Sequence, residues 1–187
     1  MANDATLVRV GITGSVFVAP IGTAMPLDFD DALNVAFVDL GYFDEDGIDV
    51  EPDVTSKMLR AWQSKYPVRV LTTERSFKAK FKVMQTGKEA LKLAFGGGTF
   101  TALTTPSTGT LYTPPAAETV YERATIVEVK DGTLVYRYLM PRCMIADVGA
   151  ITFKKDEAIT FDVTLEALEP AAGTSPWTMV TNDTALA

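Results

Sequence analysis

The sequence contains no histidine and only one cysteine, and these two shortages remove whole classes of function. Histidine is the commonest general base and transition-metal ligand, so no Ser-His or Cys-His catalytic pair and no histidine-based metal site can be written. The single thiol, Cys143, cannot form an internal disulfide, and its apolar neighbours indicate a buried packing residue. We therefore expect no enzyme activity and no metal or other cofactor.

Long apolar runs and an excess of cations are also missing. No run approaches the roughly 20 apolar residues that cross a bilayer, and the N-terminus lacks a basic region followed by an apolar one. We therefore expect a protein that is made in a cytoplasm and has no membrane segment. The chain has 17 basic and 24 acidic residues, for a net charge of −7. Because non-specific DNA affinity comes largely from lysine and arginine, a dedicated DNA-binding protein is not expected.

The sequence is rich in segments whose residue pattern predicts β-strands. Its 187 residues, 47% of them hydrophobic, predict a single domain over 1–187 with a substantial core. The clearest strand lies in 67–85, where apolar residues alternate with lysines. A short amphipathic helix is predicted over 87–95, ended by three glycines at 96–98. These patterns predict a mainly β fold, an antiparallel sandwich or barrel with one flanking helix.

The remaining segments are assigned by their turn residues. A hairpin is predicted over 119–140 around Asp131 and Gly132, followed by separate strands over 142–151 and 158–168. Residues 99–117, rich in Thr, Pro and Gly, are predicted to be a connector. An arm at 1–14 and a polar tail at 170–187, with Trp177 docking on the body, complete the chain. Residues 44–47 read as a hairpin turn that opens a long excursion over 44–66.

Two motifs suggest ligand binding, but each has a simpler explanation. Acidic residues at 44–53 suggest calcium, yet the spacing does not match an EF-hand loop, so a solvated acidic hairpin is the better interpretation. The glycines at 96–98 suggest a phosphate cradle, but they end a helix, where the backbone amides point the wrong way.

Two strand faces carry charge. Lys78, Lys80 and Lys82 form a basic strip, which fits either a subunit contact with an acidic partner or a solvated sheet edge protected from stray pairing. On the last strand the outward set is Thr160, Asp162, Thr164 and Glu166, opposite an apolar face.

One stretch carries a family resemblance. Residues 15–26 read Ser-Val-Phe-Val-Ala-Pro-Ile-Gly-Thr-Ala-Met-Pro, and residues 36–48 read Ala-Phe-Val-Asp-Leu-Gly-Tyr-Phe-Asp-Glu-Asp-Gly-Ile. This stretch resembles the start of the major tail tube protein of long-tailed, non-contractile bacteriophages, especially those of actinobacteria. Beyond it, the order of elements matches more than the residues do.

The resemblance implies a structural virion protein of the phage tail, assembled in the host cytoplasm. Six subunits would close a ring, and the rings would stack into a hollow tube that DNA crosses without specific binding. Implied partners are further copies, the tape-measure protein, and the terminator and tip proteins. The 44–66 excursion would contact the adjacent ring, and the arm and tail would become ordered on assembly. The residues implied in stacking are Asp44, Glu45, Asp46, Asp49, Lys57, Arg60 and Trp62.

The acidic face with Asp162 and Glu166 is the predicted lining of the lumen, because a negative wall should not trap DNA. An alternative from a different class is a β-sandwich recognition module, binding a carbohydrate or a receptor. For that function the exposed aromatics would be Trp62, Tyr66 and Trp177.

Overall fold

The computed structural model describes residues 4–116 and 120–186, with one short helix and ten strands. Parts of the predicted segments, residues 1–3, 117–119 and 187, lie outside the described residues. The helix is α1 (Lys88–Ala94). The strands are β1 (Thr13–Ala19), β2 (Val38–Asp39), β3 (Phe43–Arg60), β4 (Pro67–Val83), β5 (Thr99–Leu103), β6 (Gly109–Thr113), β7 (Glu122–Asp131), β8 (Leu134–Val148), β9 (Phe161–Ala167) and β10 (Thr178–Thr181). Short 3-10 turns lie at Ala5–Leu7 and Thr184–Leu186.

Eight strands form one antiparallel sheet in the order β2-β1-β7-β8-β9-β4-β3, with β10 also paired to β8. Strand β8 is long enough to pair with β10 along its first half and with β9 along its second half. The sheet curls so that β1 comes close to β3 near its other end: a methyl group added at Gly14 in β1 would lie 3.0 Å from Ile48 Cδ1 in β3. The predicted mainly β, antiparallel fold with one helix is confirmed.

The core lies inside this curl. Alternate residues of β4 and β9 point inward, including Phe77, Phe81, Val163 and Leu165, each at most 3% exposed. They pack with Val16, Val18, Val127 and Met140 from the other half of the sheet. Burying one such side chain contributes about 1.5–3 kcal/mol, so this set supplies most of the stabilisation available to the body. Helix α1 closes the core with Ala90 and Leu93.

The outer face of β7 and β8 is also covered. Ile126 and Leu139 are buried there, and Arg137 Nη1 donates to the carbonyl of Asp31 at 2.9 Å, which places the connection before β2 over this face. Glu128, 5% exposed, lies beneath it and accepts from Arg137 Nε at 2.5 Å. Burial alone would raise the pKa of Glu128, but hydrogen bonds from Lys130 and Arg137 outweigh it and hold the pKa below its ordinary value.

Residues 44–47 do not form the predicted turn. Phe43 pairs with Val83 and Ile48 with Phe81, so these four residues bulge out of β3 opposite Lys82 alone. Gly47 takes a φ of 80° in the bulge, the same left-handed conformation that a tight turn would need. The chain keeps its direction, and the real reversal lies between Arg60 and Pro67.

Three other predictions also need correction. The predicted strand over 142–151 is the second half of β8, which runs without a break. The predicted connector over 99–117 contains the β5–β6 hairpin, fixed to the body where Tyr112 Oη donates to the Gly97 carbonyl at 2.6 Å. The polar tail contributes β10. Its Trp177 stacks on Phe77 with ring centroids 4.2 Å apart, as the docking prediction requires.

Candidate assembly interface

The most prominent surface feature is a long hairpin that projects from the body. Strands β3 and β4 have 18 and 17 residues, three times the common strand length, and they pair from Phe43–Val83 out to Arg60–Pro67. Only the inner part of β4 has a second neighbour, because β9 pairs with Lys78–Val83. Beyond Phe77 no other strand of the described residues pairs with either of them. We call residues 54–75 the distal hairpin.

The distal hairpin exposes apolar side chains that its own chain leaves uncovered. They include Trp62, 99% exposed, and Tyr66, 79% exposed, at the tip. Along the strands the same holds for Val54, Met58, Val68 and Val70, each more than half exposed. Met58 and Val70 are directly opposite each other, so their apolar surfaces are contiguous. A two-stranded ribbon is at best marginally stable in water, so this surface is suited to being covered by a partner.

The distal hairpin is also cationic. It carries one carboxylate, Glu74, against five cations: Lys57, Arg60, Lys65, Arg69 and Arg75. Its net charge is therefore +4 within a chain of −7, which leaves −11 for the rest. Sequence reasoning missed this separation because it placed Asp44–Asp49 and Lys57–Trp62 in one loop. Residues 67–75 of the hairpin lie outside the predicted excursion over 44–66, and the signal for them was the unbroken strand pattern from Pro67 to Val83.

The acidic residues lie at the opposite end of the hairpin, in the bulge. Lys82 Nζ is 2.5 Å from Asp46 Oδ2 and 3.6 Å from Asp44 Oδ2, and the hydrogen bond that Lys82 donates to Asp46 raises the pKa of Lys82. Between the bulge and the start of β1 lies a cleft of about 630 Å³, which we call the acidic cleft. Its walls include Ile12, Tyr42, Asp44, Glu45, Asp46 and Ile48.

The predicted basic strip and the predicted acidic lining share a single face. Lys78 is opposite Glu166, and Lys82 is opposite Asp162, across the β4–β9 pair. Lys80 Nζ makes an ion pair with Glu51 Oε2 at 2.7 Å, and this hydrogen bond lowers the pKa of Glu51. Strand β4 is therefore not a sheet edge in this region, and the face carries charges of both signs. Which contact it makes remains a prediction.

The arm and the tail hold each other at the base of the hairpin. Asp183, 8% exposed, accepts from Arg9 Nε at 2.7 Å and Nη2 at 3.0 Å, and from Tyr136 Oη at 2.5 Å. Hydrogen bonds from Arg9, Tyr136 and the Ala185 N–H hold the pKa of Asp183 well below its usual range. These contacts form within one subunit. That both segments become ordered on assembly remains a prediction.

The aromatic residues of the recognition-module alternative do not share a surface. Trp62 and Tyr66 lie at the hairpin tip, whereas Trp177 is partly buried against Phe77 and Tyr138. Among the described residues, no group of three or more acidic or cysteine side chains is placed to hold a metal ion. The same part of the chain contains no helix long and apolar enough to cross a membrane.

Comparison with known proteins agrees with a role in assembly. The model of a family described as phage tail tube protein matches residues 1–187. The chain belongs to the phage tail tube protein family. The predicted family resemblance is therefore confirmed, and with it a structural role in the tail of the phage virion. This tail tube protein has no match among curated proteins.

The solved structures include a similar chain in the cryo-EM structure of the anti-feeding prophage baseplate, 6-fold symmetrised. The two chains are 10% identical, with a TM-score of 0.44 over 96% of the tail tube protein and 97% of that chain.

Proposed function

We propose that this tail tube protein closes six-membered rings that stack into the hollow tube crossed by the phage genome. In this proposal the distal hairpin makes the contact between rings, and DNA passes without specific binding. The tape-measure protein and the terminator and tip proteins are the further partners. Family membership supports the tail tube role. The fold supplies two surfaces for it, the distal hairpin for contact between rings and the mixed-charge face of β4 and β9 for the lumen.

The observation that carries the proposal is the distal hairpin itself. A strand pair whose apolar side chains are more than half exposed at six positions would expose a binding surface permanently if the subunit worked alone. The outer edge of β3 adds a long row of backbone groups with no strand beside it in the described sheet. Open edges of this kind invite uncontrolled pairing unless an assembly occupies them in a defined way.

The mixed-charge face supports passage of DNA without binding. Carboxylates oppose Lys78 and Lys80 on β3, and they oppose Lys78 and Lys82 on β9, so the face offers no continuous row of cations to phosphates. We propose this face, with Asp162 and Glu166, as the lining of the lumen.

The test is a variant that lacks the distal hairpin and is rejoined at two residues that already pair with each other. Asp53 and Ser76 are paired, so residues 54–75 can be replaced by Asn-Gly, a dipeptide that closes a two-residue hairpin. The core residues of β3 and β4 remain in place. We expect a folded subunit with an unchanged circular dichroism melting profile in the body, but no tubes in negative-stain micrographs of concentrated protein.

A matched control shortens the other exposed hairpin. Residues 102–110 of β5 and β6 can be replaced by the same dipeptide, since Thr101 and Leu111 are paired. This variant should still form tubes. Long tubes from the variant without the distal hairpin would contradict the proposed stacking role, and wild-type protein that forms neither rings nor tubes would contradict the proposed assembly.

A further inference from the structure

The two ends of the projecting hairpin carry complementary surfaces. The tip is cationic and aromatic, with Arg60, Trp62, Lys65 and Tyr66 all exposed. The base carries the acidic cleft. The 12 residue steps from Ile48 to Arg60 separate the two by about 40 Å at the usual rise of an extended strand. The two strands stay paired from the cleft to the tip, so the tip cannot reach the cleft of its own subunit and can reach such a cleft only on another copy.

The acidic cleft matches the tip in polarity as well as in charge. Asp44, Glu45 and Asp46 with Lys82 leave a local net charge of −2. Beside these carboxylates, Ile12 is 65% exposed and Tyr42 is 80% exposed, so an apolar surface adjoins the charged one. The cleft volume of about 630 Å³ is within the range that takes a bulky ligand group.

The cleft also borders a backbone edge that no strand among residues 4–116 and 120–186 pairs with. Strand β2 pairs with β1 only at Phe17 and Val18, which leaves the Thr13–Ser15 side of β1 open toward the cleft. An incoming segment would find hydrogen-bonding groups there as well as carboxylates and apolar contacts.

From this juxtaposition we propose that the hairpin tip of one copy docks in the acidic cleft of another, with Trp62 on the apolar wall and with Arg60 and Lys65 facing Glu45 and Asp46. The inference rests on the proposed function and names the partner surface of its stacking hairpin. The contact is heterologous, because the two patches differ and lie at opposite ends of one element. Such a contact repeats from copy to copy without closing on itself, which is the geometry that a growing tube needs.

Charge reversal and rescue provide the test. The tip variant is Arg60→Glu with Lys65→Glu, and the cleft variant is Glu45→Lys with Asp46→Lys. Each should raise the concentration at which the purified protein polymerises, measured by sedimentation and light scattering, by at least about tenfold, because like charges then face each other. An equimolar mixture of the two variants, in which a reversed tip meets a reversed cleft, should polymerise near the wild-type concentration.

Two controls separate this contact from general effects of charge. Lys154→Glu with Lys155→Glu changes the net charge of the chain as much as the tip variant does, on an exposed turn, and should polymerise like the wild type. Circular dichroism should show that every variant is folded. Raising the salt concentration from about 0.05 to about 0.5 M should weaken wild-type polymerisation, since exposed ion pairs are screened.

The outcomes distinguish this inference from the proposed function. If the wild type forms tubes and either variant forms them equally well, or if the mixture gives no rescue, the docking inference is wrong while the tube function stands. If the wild type never forms rings or tubes, the proposed function fails first.

Discussion

Replacing Phe77 by alanine tests whether the projecting hairpin is anchored in the core of the body. Phe77 is 2% exposed, stacks on Trp177 at 4.2 Å with an interplanar angle of 15°, and lies 6.2 Å from the Tyr138 ring. Truncating a buried phenylalanine typically costs about 3–5 kcal/mol, and loss of a stacked partner favours the upper part of that range. Against a total stability of about 5–15 kcal/mol, the expected loss of about 4 kcal/mol is large.

The two tryptophans make the assay specific. Trp62 is 99% exposed, so changing it to phenylalanine leaves Trp177 as the single fluorescent reporter of the core. Urea unfolding of dilute protein should then give a cooperative transition at much lower denaturant in the Phe77→Ala variant. Val70→Ala, on the same strand but 58% exposed, should change the free energy of unfolding by less than about 0.5 kcal/mol. A loss below about 1 kcal/mol for Phe77→Ala would refute the anchoring argument.

Three further perturbations probe single sites. Glu128→Gln should cost about 1–3 kcal/mol at pH 7, where the buried carboxylate is ionised and bonded to its lysine and arginine partners. Because the pKa of Glu128 is lowered in the folded state, its stabilisation is present above the unfolded pKa near 4 and disappears as the pH falls. Urea titrations should therefore show the difference in unfolding free energy between wild type and variant shrinking by pH 3. A difference that stays constant would contradict the assignment. Burial raises the pKa of the Cys143 thiol to about 12, so a thiol reagent at pH 8 should label it only in urea, and rapid labelling of native protein would show that it is accessible. Gly98→Ala should destabilise the β5–β6 hairpin by about 1–3 kcal/mol, because φ is 101° and the new methyl would lie 2.6 Å from Tyr112 Oη. The methyl of Gly132→Ala would meet nothing within 4 Å, so that control should cost about 1 kcal/mol in the same urea assay.

Local signals predicted the parts of the fold that local interactions decide. The alternation in β4, the Asp131-Gly132 reversal between β7 and β8, and the helix ended by glycines all lie where the pattern indicated. Each depends on residues close in sequence, since side-chain period and turn conformation are properties of a short segment.

The errors arose where distant residues decide between two local conformations. An acidic segment ending in Gly47 suits a tight turn and a bulge equally well, and the choice depends on Lys82 lying opposite as a cationic partner. The separation of charge along the hairpin was missed for the same reason. Without the register of β3 against β4, acidic and cationic residues 12 positions apart look like one loop instead of two ends of a ribbon.

Strand β4 runs unbroken from the interior of the body, at Phe77–Val83, to the exposed turn that follows β3. No linker or glycine interrupts β4, so the part of the strand held between β3 and β9 continues directly into the outer part, which pairs with β3 and shifts register twice on the way to the tip. A force applied at the outer end is therefore transmitted directly to the centre of the subunit. If such subunits form a tail that flexes, bending within a copy is confined to the outer ribbon and its two register shifts, because β3 and β9 hold the inner part of β4 on both sides.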